Sequence, residues 1–109
     1  MTDALKILGQ VNPSGSTLTD AYTVPAQKSA TVSSVVVCNQ SGSDVKFRIS
    51  VAIAGAGDSP AQYLYYDVTV APKDTFVAVI GVTLAATDVL RVYVNSGSVS
   101  VNVFGVEVS

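Results

Sequence analysis

The amino-acid sequence predicts one small all-β domain, a single antiparallel β-sandwich of about eight strands. Three observations predict it. Val is very frequent, with Thr and Ser close behind, while the helix formers Glu, Gln, Lys and Leu are scarce; β-branched side chains suit a pleated, half-buried surface. Turn-forming clusters recur at Asn12-Pro13-Ser14-Gly15-Ser16, Ser41-Gly42-Ser43-Asp44, Gly55-Ala56-Gly57-Asp58-Ser59-Pro60, Ala71-Pro72-Lys73-Asp74 and Asn95-Ser96-Gly97-Ser98. Between them lie short β-like runs at nearly regular spacing, the pattern of a sandwich or barrel.

The elements follow in order. Residues 5–10 read as the first strand, within an N-terminal arm or first strand spanning 1–12, ahead of the sandwich body at 13–109. Residues 20–24 and 31–39 are the second and third strands, joined by an exposed connection at Pro25-Ala26-Gln27-Lys28-Ser29. The fourth, 44–53, alternates most clearly: Val45, Phe47, Ile49, Val51 and Ile53 share one face and Lys46, Arg48 and Ser50 the other. One face is therefore buried and the other meets solvent or a partner. In the fifth, 62–70, a period of two sends Leu64, Tyr66 and Val68 into the core and Tyr63, Tyr65 and Asp67 outward. The sixth covers 75–83 and the seventh 88–95, and residues 84–88 have room for one helical turn at most. The eighth, 98–108, changes phase: Val99, Val101 and Val103 share a face, then Phe104, Val106 and Val108 take it over. One extra residue at Val103-Phe104-Gly105 would do this, so a β-bulge or twist is expected there; the alternative is that both faces are buried against a neighbour. Eight strands at this spacing fit a jelly roll and an immunoglobulin-like sandwich equally.

Composition narrows function by exclusion. The 109 residues fit one domain. Charged residues make up 13% of them, against about 25% in soluble domains, so part of the surface is expected to be covered by other subunits. A net charge of −2 and six scattered cations provide no basic patch for nucleic acid. No apolar run has the length of a signal peptide or a membrane helix; a soluble protein made in the cytoplasm, with no membrane partner, is expected. The chain has no His, which removes the commonest general base and metal ligand. Its single Cys38 allows no disulfide framework or multi-Cys zinc site and reads as a small buried hydrophobe on a Val-rich strand. Asp58, Asp67, Asp74 and Asp88 sit at turns and strand entrances, where acids cap turns. Gly55-Ala56-Gly57-Asp58 lacks the alternating acids of a calcium loop and the Lys-Ser/Thr of a phosphate loop. No enzyme activity, cofactor or metal is expected.

The residues that point toward a partner lie on the fourth and fifth strands. Tyr63, Tyr65 and Asp67, with Lys46 and Arg48, form the candidate interface, because Tyr is enriched at protein interfaces and also stacks on sugars.

Several segments together resemble a family. Leu8-Gly9-Gln10, Thr17-Leu18-Thr19-Asp20-Ala21-Tyr22-Thr23-Val24-Pro25-Ala26, Val37-Cys38-Asn39, Phe47-Arg48-Ile49-Ser50-Val51-Ala52, Gln62-Tyr63-Leu64-Tyr65-Tyr66-Asp67 and Phe104-Gly105-Val106-Glu107 look like small β-rich virion proteins of tailed bacteriophages. The resemblance spans nearly the whole chain and carries no chemical signature. It implies a structural or accessory protein of the virion, assembled in the host bacterial cytoplasm, with other copies of itself and other virion proteins as partners. Three roles stand open: a self-associating module of the tail, baseplate or fibre; a capsid decoration (cement) protein; and a carbohydrate-binding module that meets a host glycan. Repetition on a particle would supply avidity to contacts that are individually modest.

Overall fold

Strands form where the β-branched runs lie between turn clusters. In the computed structural model, residues 3–96 and 98–109 are described; Met1, Thr2 and the Gly97 of the expected turn at Asn95-Ser96-Gly97-Ser98 lie outside the described residues. The strands are β1 (Asp3–Val11), β2 (Thr19–Thr23), β3 (Ser29–Asn39), β4 (Val45–Ala52), β5 (Tyr63–Val70), β6 (Thr75–Leu84), β7 (Val89–Val94) and β8 (Val99–Val108). Every expected strand is present. The segment between β6 and β7 is a turn without a helix, and two short 3-10 turns, Ile53–Gly55 and Pro60–Gln62, lie between β4 and β5.

The strands form two antiparallel four-stranded sheets, β1-β8-β3-β6 and β2-β7-β4-β5. This order has a simple logic. Pairs β1·β8, β2·β7, β3·β6 and β4·β5 are successive rungs of one long antiparallel ribbon, and alternate rungs fall in opposite sheets. Such a folded ribbon is the jelly roll, which decides between the two sandwich types the strand count allowed. β1 is the edge strand of the first sheet, paired with β8 from Asp3 to Val11.

The core lies between the sheets. Phe47, Ile49 and Leu90 are its largest fully buried side chains, surrounded by valines from β3, β4, β7 and β8. Val45, Phe47 and Ile49 point inward as the alternation of β4 predicts. Ile53 does not: the strand ends at Ala52, and the first 3-10 turn carries Ile53 out to 81% exposure. Cys38 is also not a core residue. It stands half-buried on the outer side of β3, while its neighbours Val37 and Asn39 point inward. Asn39 serves the turn that follows, its amide donating to the carbonyls of Ser43, Val70 and Ala71 at 2.8, 3.1 and 3.2 Å.

β8 alternates without a break from Val99 to Val108, so the expected change of phase does not occur within it. The irregularity is at the expected level, but the extra residues belong to neighbouring strands: Leu8 in β1, Ser33 in β3 and one residue of Ile80-Gly81 in β6. Gly105 is required there, because a Cβ would collide with the Thr31 carbonyl oxygen. The consequence is that Glu107, not Val106 or Val108, faces inward. It is 4% exposed. A charge so placed needs partners, and it has them: the Tyr22 hydroxyl donates to Oε2 at 2.7 Å, and Lys6 Nζ lies 2.8 Å from Oε1 with Lys28 Nζ at 3.8 Å. Glu107 thereby joins β8 and β1 of one sheet to β2 of the other.

Candidate interaction faces

A sandwich presents two outer sheet faces, and here they differ in chemistry. On the β2-β7-β4-β5 sheet, β4 and β7 set Arg48 directly beside Tyr93. β5 carries two register shifts against β4, leaving Leu64 unpaired between Tyr63 and Tyr65 and widening the strand at Tyr66-Asp67, where Asp67 takes a left-handed φ of 53°. Asp tolerates that conformation better than most residues. These two bulges set the aromatic phase. Tyr63, Tyr66 and Asp67 stand outside, and Tyr65 turns inward, its ring 6.1 Å from Phe47 and 5.9 Å from Phe76. The period of two therefore fails at this cluster: Tyr65 packs against the core, whereas Leu64 and Tyr66, assigned to the core, are 43% and 59% exposed. Val68 does pack inward as expected.

Of the five candidate interface residues, the structure brings Arg48, Asp67, Tyr63 and Lys46 onto one face. The Arg48 guanidinium forks onto Asp67 at 2.7 and 3.3 Å. It lies 4.1 Å from the Tyr66 ring centroid and 4.5 Å from that of Tyr93, a cation between two aromatic rings. Arg48 holds the Asp67 carboxyl below its ordinary pKa, and hydrogen bonding to Asp67 raises that of Arg48. The Tyr63 ring meets Tyr66 edge-on at 5.1 Å, and its hydroxyl donates to Asp58 at 3.1 Å; burial and then Asp58 raise its pKa. Arg48, Asp58, Ser59, Pro60, Tyr63 and Tyr66 line an open cleft of about 380 Å³. Further along the sheet, Arg91 bonds Asp20 at 3.0 Å and the carbonyls of Ala56 and Gly55 at 2.7 and 3.1 Å. Tyr66 and Tyr93 were not legible as members of this cluster, since nothing local announces the bulges that turn Tyr66 outward.

The β1-β8-β3-β6 face has another character. Cross-strand partners point to the same side of a sheet, so the register gives its rows. Ile7, Phe104, Ser34 and Val79 form one; Leu5, Val106, Thr31 and Thr83 the next; Gln10, Asn102, Val36 and Val77 a third. Leu5 is 85% exposed and Val79 80%, with Ile7 and Val77 both more than half exposed. Among the described residues, the outward side chains of this sheet carry one charge, Asp3 at the end of β1.

Two acids at strand entrances serve local structure. Asp88 accepts from the Ala54 and Ala85 amides, both at 2.9 Å, and Asp74 from the Thr75 amide at 2.8 Å. Among the described residues no group of three His, Cys, Asp or Glu side chains is placed to hold a metal ion, and no helix is long and apolar enough to cross a membrane.

Fold and surface together define a jelly-roll sandwich with one apolar and one charge-paired outer face. No protein-family model and no curated protein matches the chain. Among solved structures, it is similar to a pentameric capsid protein isolated from metagenomic phage sequences, at 18% identity and a TM-score of 0.43 over 97% of this chain and 64% of that one. A structure of a pentameric capsid protein from the same kind of source, solved by iodide phasing, has 16% identity and a TM-score of 0.38 over 97% of this chain and 65% of that one. The chain thus spans less than two thirds of the length of either, and at TM-scores below 0.5 neither likeness carries the functional reading.

Proposed function

We propose that the chain is a non-enzymatic structural protein of a bacteriophage virion, a self-associating accessory module of the tail, baseplate or fibre. The observation that carries this reading is the outer face of the β1-β8-β3-β6 sheet, on which Leu5, Ile7, Val77 and Val79 are exposed on a rigid sandwich. Large apolar side chains exposed together on one sheet face mark association sites, and the chain-long resemblance to small virion proteins supplies the setting. The Tyr63, Arg48, Asp67 and Lys46 face, joined by Tyr66 and Tyr93, suits contact with other virion proteins, because Tyr and Arg are the residues that anchor interfaces. Tyr65 contributes from beneath, by packing under that face.

Capsid decoration differs from this reading in partner rather than in physics. A host glycan is the weaker alternative, since Arg48 already lies against the Tyr66 and Tyr93 rings on which a sugar would stack. Cryo-electron microscopy of purified particles tests the proposal. Density for this eight-stranded sandwich in the tail, baseplate or fibre supports it; density on the capsid shell replaces it with decoration; and absence of the protein from the particle overturns it.

A further inference from the structure

We infer that the β1-β8-β3-β6 face is a symmetric docking surface for the same face of a second copy, so that the assembling unit is a two-fold dimer joined sheet to sheet. This rests on the self-association proposed above and names its surface and geometry.

Chemistry chooses the partner. The rows centred on Leu5, Ile7, Phe104, Val106, Val77 and Val79 contain only apolar, hydroxyl and amide side chains. A partner bringing charges would strand them without counter-ions in an apolar contact. The other outer sheet face carries Lys46, Arg48, Asp67, Arg91 and Asp20 and is a poor complement for that reason. The sheet face on this molecule whose central rows are free of charge is the β1-β8-β3-β6 face itself, with Asp3 at its margin, and a second copy presents it again. A contact of one patch with itself is closed by a two-fold axis.

Area agrees with this assignment. Four strands about 4.8 Å apart, each about ten residues long at roughly 3.3 Å per residue, span roughly 600 Å² before side-chain relief is added. Each partner of a standard stable interface contributes about 800 Å² of accessible surface. Two such faces can stack at the ~10 Å spacing of packed sheets. The low profile of Val, Thr and Ser along β3 and β6 allows that approach, with Leu5, Ile7 and Phe104 as the protruding residues at the β1·β8 side.

Size exclusion with light scattering, on the full chain and its variants, tests the inference. The wild type runs as a dimer or a multiple of it. Leu5→Asp with Val79→Asp yields a monomer that keeps the far-ultraviolet circular dichroism of the sandwich, since both side chains lie on the outside of the single chain, and its melting temperature no longer depends on protein concentration. Val79→Thr, which retains strand propensity, weakens the dimer roughly tenfold, and covers the case in which the double variant misfolds. Arg48→Ala with Tyr66→Ala leaves the dimer intact. A wild type that stays monomeric at millimolar concentration overturns both this inference and the self-association reading. An oligomer that survives the Asp and Thr variants, or that dissociates only on losing Arg48 and Tyr66, overturns this inference alone.

Discussion

The two outer faces of this sandwich share a backbone plan and differ in how they meet water. On the β2-β7-β4-β5 face, each guanidinium has its carboxylate: Arg48 has Asp67, and Arg91 has Asp20. Tyr66 and Tyr93 flank Arg48. Both arginines of that face are paired within a single chain. The β1-β8-β3-β6 face presents Leu5 and Val79 almost fully to solvent and, among the described residues, holds no ion pair across its rows. The difference teaches that fold alone does not decide which face associates; residue choice on equivalent strands does. A pre-paired charged face binds selectively and weakly, because its partners must compete with bonds already made, whereas an uncharged one associates wherever a similar surface is offered.

Substitutions can break or sharpen this contrast. The largest expected effect is at Gly105, beneath the apolar face. Gly105→Ala drives a methyl group into the Thr31 carbonyl, and loses about 3 kcal/mol by urea unfolding as the first sheet shifts. Next is the link between the sheets. Tyr22→Phe leaves the buried Glu107 without its hydroxyl donor, and costs about 2 kcal/mol in the same measurement. Lys6 and Tyr22 hold the Glu107 carboxyl below its ordinary pKa. Because the folded value is the lower one, this stabilisation is fully present above the unfolded value of about 4.3 and is lost as pH falls through the folded value. Glu107→Gln therefore flattens the acid limb of stability against pH, and an unchanged limb would show that the carboxylate contributes nothing there.

On the charge-paired face the effects are smaller. Arg48→Ala frees Tyr66 and Tyr93 and lowers the melting temperature less than Tyr22→Phe does, without altering oligomeric state; dissociation on this change would reverse the roles of the two faces. Smallest is Ser50→Ala. Among the described residues the buried Ser50 hydroxyl has no partner, so its removal is neutral or stabilising by up to about 1 kcal/mol, read from the unfolding midpoint.

What was legible in the sequence follows from which signals are local. Strand positions were, because Asn12-Pro13, Ser41-Gly42 and Pro72-Lys73-Asp74 punctuate runs of β-branched residues. The choice of jelly roll was not, because pairing β1 with β8 and β2 with β7 is a property of residues far apart in the chain. Of the candidate interface residues, Lys46, Arg48, Tyr63 and Asp67 share an outer face as the strand pattern implied, whereas Tyr65 points inward. Leu64 and the Tyr66-Asp67 bulge each shift the period by one, and bulges leave little local trace. Glu107 was missed for the opposite reason. A carboxylate at the end of a strand reads as outward, and only the tertiary arrangement supplies the Lys6, Lys28 and Tyr22 that let it turn in. The apolar face did leave a signal in β6, where Phe76, Val77, Ala78, Val79 and Ile80 are apolar on both sides of the strand. A strand buried on one face would alternate.

Hydroxyl-radical footprinting of the wild-type protein, compared between assembled and diluted samples, tests the contrast between the faces most directly. Leu5, Ile7 and Phe104 are predicted to lose reactivity on assembly while Tyr66 and Tyr93 keep theirs. Protection of Tyr66 and Tyr93 with Leu5 and Phe104 unchanged would contradict the account.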